Sequence, residues 1–125
     1  MQNITVRNFK PKEQLGMHLV AEIYFSDPAV LNDEEKIREA LIDASIAGNM
    51  TVINTSSHKF SPHGVTALVL LAESHISIHT WPEHGYAAID IFACGRGEPE
   101  KSLERLKELL PVKELKVLKI NRGLF

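Results

Sequence analysis

The stretch Ser74-His-Ile-Ser-Ile-His-Thr80, then Trp81-Pro-Glu-His-Gly85, then Tyr86-Ala-Ala-Ile-Asp-Ile-Phe-Ala-Cys94, decides the fold. Two strand-like arms flank a Pro/Gly turn, the pattern of a β-hairpin. If Thr80 and Tyr86 flank that turn, pairing outward sets Ser74 opposite a residue at about Phe92 to Cys94. The turn therefore folds Cys94 back beside Ser74. Just upstream, Val65 to Ala72 (VTALVLLA) is almost wholly apolar, which predicts a central, buried strand.

Outward from this hairpin, Leu15 to Phe25 reads as a strand, because Leu19, Ala21, Ile23 and Phe25 alternate with His18, Val20, Glu22 and Tyr24. Ser26-Asp27-Pro28 ends it. Asn32 or Asp33 caps a helix running to about Ala47, with Ile37, Leu41, Ala44 and Ala47 on one stripe. Gly48-Asn49 stops that helix. A strand follows near Thr51 to Ser57, and Ser61-Pro62-His63-Gly64 is a turn. A second helix spans about Glu100 to Leu110 and is stopped by Pro111. Leu115 to Ile120 is a last strand. The order β-α-β-β-β-β-α-β predicts an α+β two-layer sandwich, an antiparallel sheet with two helices packed on one face.

The chain has 125 residues, the size of one domain, so 1–125 is read as a single unit. A chain this small buries one core but leaves little room for an enclosed site. Its size favours an oligomer with a site at or near the subunit interface. The 14 basic and 16 acidic residues form no basic stripe, which argues against nucleic acid as a partner. No apolar run approaches the roughly 20 residues of a membrane span. Met1 to Arg7 lacks the charged-then-apolar pattern of a signal peptide. The single cysteine, Cys94, cannot form an intrachain disulfide, so a reducing, cytoplasmic setting is expected.

Reactive side chains crowd between Glu73 and Cys94: Ser74, His75, Ser77, His79, Thr80, Trp81, Glu83 and His84. Buried polar groups cost roughly 1–3 kcal/mol each unless paired, so a fold tolerates this many most readily when they serve a site. Ser74 and His79 lie five residues apart on one strand and would face opposite sides. Acting on one centre requires a bulge between them, or a place for Ser74 in the tight turn before the strand. The turn is the preferred reading, because a strained peptide there favours chemistry on it.

Leu71-Ala-Glu-Ser-His-Ile-Ser-Ile-His-Thr-Trp-Pro-Glu83 and Gly85-Tyr-Ala-Ala-Ile-Asp-Ile-Phe-Ala-Cys-Gly95 resemble the prokaryotic S-adenosylmethionine decarboxylase family. Leu15-Gly-Met-His-Leu-Val-Ala-Glu22 and His58-Lys-Phe-Ser-Pro-His-Gly-Val65 resemble its upstream motifs. The resemblance implies autocatalytic cleavage between Glu73 and Ser74, giving chains 1–73 and 74–125. Ser74 Oγ attacks the Glu73 carbonyl, and elimination turns Ser74 into a covalently bound pyruvoyl group. His79 is implied as the processing base. Thr66 stands where a serine is usual and is implied as a processing aid, while Ala67 replaces a common glycine. The pyruvoyl carbonyl is implied to form a Schiff base with S-adenosylmethionine and to draw electrons as CO₂ leaves. Cys94 matches the proton donor. Phe60 and Trp81 are the implied surfaces for adenine, and Glu83 for the ribose hydroxyls or the sulfonium. The product would feed spermidine synthesis, and the assembly would be a dimer of processed pairs.

Each of these residues also has a plain structural reading. A strand serine, a hydrogen-bonded core histidine and a buried cysteine acting as a small hydrophobe are common. Phe60 and Trp81 suit core packing as well as stacking, and Thr66 suits a strand. His75 and His79 are four apart on a strand rather than a helix, so they do not converge like a metal-binding pair, and no metal is expected. Two alternatives stay open: an arginine or ornithine decarboxylase with the same chemistry, and an unprocessed, non-catalytic binding or regulatory subunit.

Overall fold

The computed structural model describes residues 14–124, so the reading of residues 1–7 lies outside the described residues. The elements are β1 (Gln14–Phe25), α1 (Glu34–Ala47), β2 (Val52–Lys59), β3 (Val65–Leu71), β4 (Ser74–Trp81), β5 (Tyr86–Cys94), α2 (Pro99–Leu109) and β6 (Val112–Leu124). Short 3-10 turns at Pro28–Asn32 and Pro82–His84 complete the chain path. The strands form one sheet in the order β2-β3-β4-β5-β1-β6. Every neighbouring pair is antiparallel. The expected α+β sandwich is the one observed.

Both helices lie on one face, as their apolar stripes require. Asp33 caps α1 by accepting the Lys36 N–H (3.1 Å), and Glu34 and Glu35 place negative charge at the helix's positive end. Ile37, Leu41 and Ala44 of α1 and Leu103 and Leu106 of α2 are buried. They meet Leu19, Ile23, Val69, Ile76, Ile78, Ile89 and Ile91 from the sheet in one core. The helices join where the Ser102 hydroxyl donates to the Ala44 carbonyl (2.7 Å). Gly48 permits that contact, since a Cβ there would stand 2.1 Å from Ser102 Oγ and 2.9 Å from the Glu98 carbonyl oxygen.

The opposite face of the sheet departs from the apolar reading of β3. Val65, Ala67, Val69 and Leu71 are buried under the helices, but Leu68 is 42% and Leu70 48% exposed. Strand alternation forces this, because among the described residues no helix covers the second face. Trp81 (40%) extends the exposed apolar surface. The strand expected at Leu115 to Ile120 is longer, running over Val112–Leu124, because it pairs with nearly the whole of β1.

Candidate active site

The β3–β4 hairpin sets Ser74. Leu71 pairs with Ser74 across the two-residue turn Ala72-Glu73, so Ser74 is the first residue of β4. Ser74 has φ = 153°, a conformation that glycine adopts freely and serine does not. Such strain costs on the order of 1–3 kcal/mol and is concentrated here at the Glu73–Ser74 junction. The Glu73 side chain pins the turn, its carboxylate accepting the Thr51 N–H (2.9 Å), while the Ala72 N–H donates to the Thr51 carbonyl (2.9 Å).

The β4–β5 hairpin then supplies Cys94. Trp81 pairs with Tyr86 at the turn and Ser74 with Ala93 at the far end, within the expected span. The Glu73 carbonyl oxygen accepts two hydrogen bonds from one residue: the backbone N–H of Cys94 (2.9 Å) and its thiol (2.8 Å). Two donors on one carbonyl oxygen draw electron density from its carbon, as an oxyanion hole does. The Ser74 hydroxyl, the nucleophile nearest that carbon along the chain, has His75 Nδ1 at 3.4 Å.

His79 and Thr66 are brought together elsewhere. They pair across β3 and β4, and Thr66 Oγ1 is hydrogen-bonded to His79 Nδ1 (3.0 Å). His79 and Trp81 project from the exposed face. The five residues from Ser74 to His79 span about 16 Å of extended strand. Placing Ser74 at the turn therefore does not unite the two within one chain.

The predicted substrate residues gather around His79 instead. Phe60, His63, Thr66, His79, Trp81 and Glu83 line a recess of about 320 Å³. Its wall includes a close contact between His63 Nε2 and a Glu83 carboxylate oxygen (3.1 Å). A second, open hollow on the same face, of about 490 Å³, is lined by Ser74 and His75 with Leu68 and Leu70. Sequence reasoning gave His63 and His75 no role. The signal for His75 was its adjacency to Ser74, and for His63 its place in the turn after Phe60. Among the described residues no group of three or more His, Cys, Asp or Glu is arranged to hold a metal ion. Nor is any helix long and apolar enough to cross a membrane.

These features define an α+β domain with a strained serine–carbonyl–thiol cluster at one end of a sheet face and an aromatic recess with a hydroxyl–histidine pair at the other. Residues 17–123 match the family model for S-adenosylmethionine decarboxylase. The chain is 45% identical over 113 residues to the S-adenosylmethionine decarboxylase proenzyme of Thermococcus gammatolerans, covering 90% of this chain and 79% of that protein. It is 43% identical over 112 residues to the proenzyme of that name from Clostridium tetani, covering 89% of each. The crystal structure of the adenosylmethionine decarboxylase from Aquifex aeolicus has the same fold, with a TM-score of 0.83 and 38% identity over 90% of this chain and 94% of that one. The chain thus belongs to the S-adenosylmethionine decarboxylase family, a family of carboxy-lyases.

Proposed function

We propose that the chain is a proenzyme that cuts itself between Glu73 and Ser74 and then decarboxylates S-adenosylmethionine, in the cytoplasm, for polyamine synthesis. The observation that carries this is the Glu73 carbonyl held by both donors of Cys94 beside a strained Ser74. Attack by Ser74 Oγ closes a five-membered ring and puts negative charge on that oxygen, where both donors already point. Collapse breaks the C–N bond and leaves an ester. Loss of the Ser74 α-proton then expels the Glu73 carboxylate and creates a double bond in Ser74. Hydrolysis of this dehydroalanine releases ammonia and leaves a pyruvoyl group at the start of chain 74–125.

The residues present fit that group, since it forms from Ser74 itself within the cluster just described. When present it supplies the electron sink for decarboxylation. Cleavage removes the Glu73 carbonyl from Cys94, freeing the thiol to deliver the proton that replaces CO₂. Phe60 and Trp81 offer flat surfaces to the adenine, and Glu83 takes the ribose hydroxyls or the sulfonium.

A second copy completes the site. One chain holds His79 on its exposed face and Ser74, half-buried at the lining of a hollow that opens on that face, about 16 Å away. A two-fold dimer packing these faces together carries the partner's recess to each Ser74, because an isologous contact brings unlike ends of a patch together. It also covers Leu68, Leu70 and Trp81, the exposed apolar side chains of that face. His79, supported by Thr66, then takes the α-proton of the partner's Ser74.

Mass spectrometry of the purified protein tests the reading. Fragments ending at Glu73 and beginning with a pyruvoyl group are expected, with none from Ser74→Ala. The cut protein should release labelled CO₂ from carboxyl-labelled S-adenosylmethionine and not from arginine or ornithine. A chain that stays intact on long incubation would instead mark a non-catalytic subunit.

A further inference from the structure

We infer that His75 is a catalytic residue of self-cleavage: it takes the Oγ proton of Ser74 in the first step, leaving only the α-proton for His79. This rests on the self-cleaving reading above and divides its two proton abstractions between two histidines. His75 Nδ1 stands 3.4 Å from Ser74 Oγ. That is long for a hydroxyl donating to nitrogen, and such contacts tighten as the reacting geometry forms. His79 of the same chain is about 16 Å away along β4.

The ring of His75 is held in place rather than free. His75, Phe92 and His18 are consecutive partners in one row across β4, β5 and β1. The His75 ring meets Phe92 in an edge-on contact, with centroids 6.1 Å apart. Phe92 is backed by the His18 ring (5.7 Å) and the Arg122 guanidinium (5.4 Å). His18 is fixed in turn by Asp90 (2.9 Å). Gly16 leaves the space, because a Cβ there would stand 2.7 Å from the Phe92 ring. A packed aromatic row thus steadies an imidazole beside the attacking hydroxyl.

The step balances. The Oγ–H proton passes to Nδ1 as the oxygen's lone pair forms the bond to the Glu73 carbonyl carbon. The carbonyl π pair moves onto the oxygen held by Cys94. When that pair returns, the C–N bond breaks and its electrons leave on the Ser74 nitrogen, which recovers the proton from His75. The imidazole ends neutral and an ester replaces the amide.

Hydroxylamine separates the two steps, because it cuts the ester but not the amide. Purified wild type, His75→Gln and His79→Ala are incubated with and without it, and the fragments are weighed. For His75→Gln, whose amide can hold the hydroxyl but not take its proton, both cutting and hydroxylamine-sensitive ester should fall by about 10²-fold or more. His79→Ala should still yield a hydroxylamine-released fragment beginning with Ser74. Adding imidazole to His75→Ala should restore ester formation, a rescue that a packing role would not give. Ester formation at the wild-type rate in His75→Gln, or no rescue of His75→Ala, overturns the role of His75 and leaves self-cleavage standing. A wild-type protein that never cuts overturns both.

Discussion

Replacing Cys94 by alanine separates the two roles given to its thiol. The Glu73 carbonyl oxygen keeps the backbone N–H of residue 94 (2.9 Å) and loses the S–H (2.8 Å). Removing one oxyanion-hole donor typically slows a reaction by about 10²–10³-fold. A thiol is a weak donor, so the lower end applies: about 10²-fold, or about 2.7 kcal/mol at 1.36 kcal/mol per tenfold. Cleavage of Cys94→Ala should therefore be slow but run to completion. Cys94→Ser, which retains an O–H donor, should cut at close to the wild-type rate. Once cut, Cys94→Ala should be almost inactive in CO₂ release, because the proton donor is gone. The assay is a denaturing-gel time course on freshly made protein, followed by CO₂ release from the cut chains. Cutting of Cys94→Ala at the wild-type rate would refute the carbonyl-polarising role. Full turnover by the cut variant would refute the proton-donor role.

Co-expressing Ser74→Ala with His79→Ala should restore cutting of the His79→Ala chain, because that chain's Ser74 meets the intact His79 of its partner; no cutting of either would place the whole site in one chain. Burial, and then the hydrogen bond to Glu22 (2.5 Å), pushes the Tyr86 hydroxyl up from 10.0 to about 12. A raised value in the folded state means stability fully present below pH 10 and lost as pH climbs through about 12, so Tyr86→Phe should decline less in urea midpoint over that window. Leu106→Ala, at a fully buried position under the sheet, should cost about 2–5 kcal/mol in urea unfolding. A loss well below that range would mean that α2 is not packed as described.

Most of the fold was legible because local signals agreed with global ones. The Asp33 cap, the Pro/Gly turn after Trp81 and the alternation of β1 each pointed to the observed element. The 3-10 turn at Pro28–Asn32 was not legible: it is short, and its capping side chain Asp27 read equally well as a strand terminator. The β3 run misled in an informative way. Hydrophobicity measures what a chain needs buried, not which molecule buries it. VTALVLLA therefore reads as doubly buried although the helices cover only one side, and Leu68 and Leu70 are left for another surface.

Ser74 and His79 likewise depend on more than one chain's local geometry. Their odd spacing on one strand calls for a bulge between them or, as preferred, a tight turn at Ser74, and the structure has a turn just before Ser74 and a positive φ at it. Yet the turn changes the direction of Ser74 and not its distance from His79, since strand rise accumulates whatever the first residue does. A nucleophile and a base that share a strand but stand several residues apart cannot meet by local geometry. In the dimer proposed above they would meet because the strand faces a two-fold copy of itself, which turns separation along one chain into apposition across two. The exposed leucines of β3, which line the Ser74 hollow, lie on the surface such a copy would cover. Self-cleavage in this chain would then be gated by assembly, and its rate at low protein concentration should fall with the dimer population.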